Sequence, residues 1–257
     1  MAGFDATLLS RVEDAGLNAS APPQQRWMDG WLLRYLPGKA RRARCINAMA
    51  EGRLPLEEKL LLAAEIYRAA GLPMIFRLNR FTQPAGLDEA LASRGYAVVD
   101  HTRVLVCPRL PSDAGRALPG GMRWIRLDGA AFAQAVGALR GSPQEHRQSH
   151  ALRLRHSPVP YEGYAIQRDE GGEVLACGQF AVEGGLVGLY DVFTHESVRG
   201  QGLASLMCER LLSFSARQSA KVAYLQVDAE NQPALAVYRR LGFAEGYQYH
   251  YRELPLT

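Results

Sequence analysis

The run from Thr194 to Ala204, Thr-His-Glu-Ser-Val-Arg-Gly-Gln-Gly-Leu-Ala, constrains the fold of this chain more than any other segment. An apolar, strand-like stretch over residues 185–194 precedes it. After it Leu203, Leu206, Met207, Leu211 and Phe214 recur at helical spacing through about Ala220. Arg199-Gly200-Gln201-Gly202 therefore stands where a strand passes into a helix. Two close glycines let a ligand approach the backbone, and the first N–H groups of a helix lack intrahelical partners. With the positive end of the helix dipole, those donors favour phosphate. The loop predicts a phosphate-bearing ligand.

Its surroundings narrow the choice. No Gly-Lys-Ser/Thr closes the loop, so it is not a Walker loop. Gly200-x-Gly202-x-x-Ser205 approaches the dinucleotide fingerprint, but the third glycine is missing and the loop comes late in the chain. The residues before it read as a meander, with strands at 161–168, 174–182 and 186–194 joined by turns at 169–172 and 183–185. Turns that short join antiparallel neighbours, not the strand-helix-strand units of a dinucleotide fold. Downstream, residues 221–227 read as a strand. A short helix follows, with Asn231 as N-cap, Pro233 in its first turn and Gly242 as its stop. Residues 247–254 form a last strand.

From about Met122 to the C-terminus the chain resembles the GNAT superfamily of acetyl-CoA-dependent N-acetyltransferases. The cofactor signature R/Q-x-x-G-x-G/A is met by Arg199, Gly202 and Ala204, and N-x-x-A-x-x-x-Y-x-x-x-G-F by Asn231, Ala234, Tyr238, Gly242 and Phe243. The resemblance implies an N-acetyltransferase that moves an acetyl group from acetyl-CoA, as co-substrate, to a primary amine through a tetrahedral intermediate. It implies that strand 186–194 runs beside the thioester, with Val192, Phe193 and Thr194 along the pantetheine arm. Arg199, Gly200, Gln201, Gly202, Leu203 and Ala204 would then hold the pyrophosphate, and Asn231 the pantetheine amide. It also implies Tyr238 as the acid that protonates the departing thiolate.

The chemistry sets its own demands. An alkylamine near neutral pH is an ammonium and must lose a proton before attack; the oxyanion needs N–H donors, and the thiolate needs an acid. Asp191, an isolated acid among apolar residues of Leu189-Tyr-Asp-Val-Phe-Thr194, is the candidate base or amine binder. Arg239 and Arg240 follow Tyr238 and could meet a phosphate or stay exposed. His146 and His150 are four apart, but without an accompanying glutamate or third ligand no metal site is expected. Residues 141–160 are expected to be a mobile substrate-side region. The basic cluster at 38–44 is open between one face of a strand hairpin and a contact with an acidic substrate or the partner domain.

The first half shows the same order of elements: a helix at 56–70, a strand at 74–78, Gln83-Pro-Ala85, a second helix to Ser93, Gly95-Tyr96, and a strand from 102. Gln83 and Gln232 are 149 residues apart, and Gly95 and Gly242 are 147 apart. The fold expected is α/β with mixed sheets, as tandem GNAT-like acyl-CoA N-acyltransferase folds. Residues 1–115 would be a degenerate domain without a cofactor loop, and 120–257 the catalytic domain. The Pro- and Gly-rich run at 108–121 would link them.

The 257 residues are 47% hydrophobic, no apolar run approaches the ~20 residues of a membrane span, and Cys45, Cys107, Cys177 and Cys208 are scattered. Those features fit a cytoplasmic protein with reduced thiols. A net charge of +4 gives no reason to expect nucleic acid, and no membrane partner is expected. The acceptor would be a small-molecule or peptide amine; oligomeric state cannot be read. Two alternatives stay open: an acyl-CoA sensor or scaffold without turnover, and a longer acyl group.

Overall fold

The structure, a computed structural model, describes residues 3–110 and 116–255, so the middle of the expected linker, 111–115, lies outside the described residues. In chain order the elements are α1 (Ala6–Ala19), β1 (Gln25–Met28), β2 (Trp31–Arg34), β3 (Ile46–Ala48), α2 (Leu56–Ala69), β4 (Ile75–Asn79), α3 (Leu87–Ala92) and β5 (Ala97–Cys107). They continue with β6 (Met122–Leu127), α4 (Gly129–Leu139), α5 (Gln144–Arg155), β7 (Tyr161–Arg168), β8 (Val174–Glu183) and β9 (Leu186–Thr194). The last are α6 (Leu203–Ala216), β10 (Val222–Asp228), α7 (Gln232–Arg240) and β11 (Ala244–Glu253). The expected helices and strands are present to within a few residues at their ends. Two segments that the sequence left loosely assigned take a definite form. The basic cluster lies in the connection of the antiparallel β2–β3 pair and contains a 3-10 turn, Arg41–Ala43, whose Arg41 pairs with Asp100 and Glu253. Helix α5 occupies the middle of residues 141–160.

Compactness divides the chain into two units that are not consecutive in sequence: 1–19, 104–227 and 231–246 form one, and 20–103, 228–230 and 247–257 the other. A cut at 115–120 is therefore corrected. Two local facts account for it. Helix α1 is tied to the β8–β9 hairpin through Arg11 Nη2 to Gly184 O (2.6 Å) and Asn18 Nδ2 to Glu183 Oε1 (2.9 Å), so the N-terminus belongs to the first unit. The end of the chain pairs antiparallel with β4, Tyr249 opposite Asn79 and Glu253 opposite Ile75, so it belongs to the second.

The first unit orders its strands β5-β10-β9-β8-β7-β6, with β6 to β9 an antiparallel meander and β10 parallel to β9. Successive side chains of a strand point to opposite faces. Ile166, Ala176 and Phe180 accordingly meet Leu206, Met207 and Leu211 of α6 and Leu235 of α7 on one side. Ala165 and Cys177 meet Phe132, Ala133 and Val136 of α4 and Leu154 of α5 on the other. In the second unit the order is β1-β2-β3-β4-β11-β5, with β4 parallel to β3. There Trp31, Leu33, Ile46, Phe76 and Leu78 bury one face under Tyr67 of α2 and Leu87 and Leu91 of α3.

Helix α4 sits so close to β7 that a Cβ added to Gly163 would lie 2.6 Å from the fully buried Phe132 ring. Gly163→Ala is expected to lower stability by about 1–3 kcal/mol through overpacking. An unchanged denaturation midpoint would contradict this packing.

Candidate functional site

Strand β9 is parallel to β10 only from Leu186↔Val222 to Leu189↔Leu225. Beyond that point the two strands part. The cause lies on the other edge of β9: Gln179 pairs with Tyr190 and Cys177 with Phe193, so Asp191 and Val192 together face Gly178. This is a β-bulge, and Asp191 takes the left-handed conformation at φ 52°. A bulge bends and twists its strand and redirects side chains. Here Val192 packs toward the α6 face, and Phe193 packs toward the α4–α5 face.

A cavity of about 680 Å³ opens at the parting, walled by the end of β9, the start of α6 and one side of α7. Of the expected ligand-binding residues, Val192, Phe193, Thr194, Arg199, Gly200, Gly202, Leu203, Ala204, Asn231 and Tyr238 line it; Gln201 does not. Gly200 and Gly202 have φ of 78° and 82°, a region that side chains disfavour, and a Cβ on either would meet nothing within 4 Å. The loop is therefore glycine for its backbone shape and leaves open space above it. Leu206 N bonds Gly202 O, so the N–H groups of Leu203, Ala204 and Ser205 are the first-turn donors of α6, which has no side-chain cap. Arg199 braces the loop, with Nε 3.4 Å from Thr194 O and its guanidinium over the Phe193 ring at 5.8 Å. The Thr194 hydroxyl is buried and has no partner among the described residues.

Asn231 Oδ1 accepts from Ala234 N at 3.2 Å, so it caps α7. Tyr238 makes an edge contact with Phe243 at 6.0 Å, and its hydroxyl forms no hydrogen bond among the described residues. Burial, and the nearby Cys208, push its phenol well above the usual range, so it is held protonated. Burial likewise pushes Cys208 up to about 12. Sequence reasoning missed Cys208, although it lies one helical turn beyond Ala204 and so faces the same way. It also missed Val198, Ser205, Ala236 and Val237 as wall residues.

Asp191 does not stand alone. Gln179 Nε2 donates to its Oδ2 at 2.7 Å, and Arg140 Nη1, just past the end of α4, donates to Oδ1 at 2.9 Å. His150 of α5 brings Nε2 to 3.3 Å from Oδ2, in ion-pair range but off line for a good hydrogen bond. Burial alone would raise this carboxyl; contact with His150, then the charges of His150, Arg140 and Arg153, outweigh it and hold the group well below the usual carboxylate range. His150 and Arg140 come from 41 and 51 residues away and Gln179 from across a strand pair, and no local spacing announces them. His146 and His150 do share α5, but among the described residues no group of three or more His, Cys, Asp and Glu side chains is placed to hold a metal. No helix among them is long and apolar enough to cross a membrane.

The second unit fills the loop before α2 with its own side chains. Before α2, Asp29 in the β1–β2 turn accepts from Arg53 N (2.8 Å) and Leu54 N (2.9 Å), and Lys59 Nζ lies 3.4 Å from its Oδ2. A Cβ on Gly52 would lie 2.2 Å from Asp29 O, so only glycine admits the approach. Here the chain's own carboxylate takes two N–H groups of the loop that leads into α2.

A carboxyl depressed by folding stabilises above its unfolded pKa, about 3.9, and that contribution disappears as pH falls through the lower folded value. Asp191→Asn is therefore expected to cost about 1.5–3 kcal/mol at neutral pH, with the gap to wild type closing below about pH 4. A gap in melting temperature that stays constant from pH 7 to pH 3 would refute the ion-paired carboxylate.

Residues 127–243 match the family described as acetyltransferase (GNAT) family. The chain is 27% identical over 234 residues to a Bacillus subtilis protein called uncharacterized N-acetyltransferase YobR, covering 89% of this chain and 91% of that one. Among solved structures it is similar to a GCN5-related N-acetyltransferase from Kribbella flavida, with TM-score 0.67, 18% identity, and coverage of 100% of this chain and 98% of that one. It is also similar to a tandem GNAT protein from the clavulanic acid biosynthesis pathway, with TM-score 0.64, 16% identity, and coverage of 78% and 70%. The mixed α/β fold is thus one found in GNAT proteins, tandem ones included, and residues 127–243 are an acetyltransferase domain of the GNAT family.

Proposed function

We propose that this chain transfers an acetyl group from acetyl-CoA to the primary amine of a small molecule or peptide, in the cytoplasm. The observation that carries this reading is the cavity at the parting of β9 and β10. It presents open N–H donors of α6 at one wall and an unbonded, protonated Tyr238 at another. The residues fit the co-substrate. The glycine loop, the first turn of α6 and Arg199 suit a pyrophosphate. The orphaned Thr194 hydroxyl and the spare Asn231 amide hydrogens suit the polar groups of a pantetheine arm. Where β9 has lost its β10 partner, its backbone has groups to offer a thioester carbonyl. Tyr238 gives its proton to the departing thiolate.

In the same reading, the second unit descends from a copy that no longer takes acetyl-CoA. Leu56 and Leu203 open α2 and α6 and stand 147 residues apart, the offset of Gly95 and Gly242. On that offset Arg53 and Leu54 correspond to Gly200 and Gln201. Asp29 holds the N–H groups that a phosphate would need, and adds a charge that repels one.

Calorimetric titration of acetyl-CoA is expected to give one site per chain, abolished in Gly202→Glu. Tyr238→Phe is expected to bind acetyl-CoA as wild type does while kcat falls about 10²–10⁴-fold. Two sites would overturn the account of Asp29, and no binding would overturn the acetyltransferase reading. Tight binding without CoA release across a broad amine panel would favour a sensor.

A further inference from the structure

The mechanism above leaves one demand unmet, the removal of a proton from the incoming ammonium, and Asp191 meets it poorly. Its two oxygens are engaged by Arg140, Gln179 and His150. A carboxylate held so far below its ordinary range is a weak base for an amine. We infer that His150 is the proton acceptor of this reaction, and that Asp191, fixed by Arg140 and Gln179, is the residue that positions its ring. The inference rests on the acetyltransferase reading.

The geometry favours the dyad in three ways. Asp191 Oδ2 lies 3.3 Å from Nε2, so once that contact straightens into a hydrogen bond the ring would carry its proton there and offer Nδ1 as the acceptor. Nδ1 forms no hydrogen bond among the described residues. The ring's orientation is further set by its edge contact with the buried Phe132 at 6.3 Å. Finally, the dyad lies on the α4–α5 face beside Phe193, which both packs toward that face and lines the cavity. A thioester held in the cavity would reach that face where β9 and β10 part, and a second substrate would meet it there. A 3.3 Å contact is within the range of catalytic pairs, which tighten when substrate binds.

The step balances. The ammonium gives one proton to His150 Nδ1, which passes it to solvent. The amine lone pair forms the N–C bond to give the tetrahedral intermediate, the C–S bond then breaks, and the thiolate takes the Tyr238 proton. The second proton lost by nitrogen restores Tyr238. The charged and titratable groups around the dyad are Arg140 at the end of α4, the Cys177 thiol of β8 beside Asp191 and, on the helix of His150, His146, Arg147 and Arg153. Arg140 also stacks on Phe193 at 5.5 Å, so the ion pair and the cavity wall are coupled.

The test compares wild type, His150→Gln, His150→Ala and Asp191→Asn in steady-state turnover of an accepted amine between pH 5 and 10. In His150→Gln, kcat/KM at pH 7 is expected to fall about 10²-fold or more with acetyl-CoA affinity unchanged. The acidic limb of its profile is expected to give way to a steady rise with pH. Added imidazole should restore turnover in His150→Ala. Asp191→Asn should displace the acidic limb instead of removing it. A His150→Gln enzyme that keeps both rate and limb, or a His150→Ala enzyme deaf to imidazole, overturns the proton-acceptor role. Failure of wild type itself to acetylate any amine overturns the proposed function instead, so the two outcomes are distinct.

Discussion

At residues 191 and 192 strand β9 carries two residues against the single Gly178 of β8, and most of what the first unit can do chemically follows from that surplus. A bulge adds twist, and a strand twisted on one edge cannot keep a regular ladder on the other. β9 and β10 accordingly hold together for four residue pairs and then separate. The separation creates the cavity. The left-handed turn at Asp191 also decides where its carboxylate goes, toward Arg140, Gln179 and His150. One irregularity thus makes room for a ligand and assembles a charged cluster beside it.

The parts that the amino-acid sequence disclosed are those whose constraint is local. Gly200 and Gly202 are required by backbone conformations that few other residues adopt, and Asn231, Pro233 and Gly242 by the ends of one short helix, so their spacing was legible. The antiparallel meander was legible because its turns are too short for anything else. Other features were not. The bulge leaves Leu-Tyr-Asp-Val-Phe reading as an ordinary strand, and the partners of Asp191 converge from α4, α5 and β8. Asp29 could not be assigned either, because a turn aspartate followed by glycine is common and only the fold shows it closing on Arg53 and Leu54. The cut at 115–120 rested on a Pro- and Gly-rich run; which residues share a core depends on α1 and β11, whose sequences carry no such address.

The two units make a useful contrast in how a strand-to-helix loop is completed. Near α6 the chain leaves first-turn N–H groups open, with glycines keeping the space above them clear. Before α2 it completes the loop with Asp29 and Lys59, at a glycine required by the closeness of the contact instead of by openness. A loop that supplies its own anion is finished on folding. One that waits for a ligand is stabilised by mass action when that ligand binds.

The interleaving of the units has a bearing on how the chain is made. The first unit draws residues 1–19 together with residues 104–246. Its opening helix must wait, during synthesis, for the β8–β9 hairpin that receives it, whose contacts with the helix lie 165 and 173 residues further along the chain. The second unit in turn needs the final strand for the edge of β4. Neither unit can close early on the ribosome, and contacts so distant along the chain carry a loop-closure cost that slows folding. Until the last strand is released, the edge of β4 is a row of unpaired backbone groups, the kind of surface on which chains aggregate.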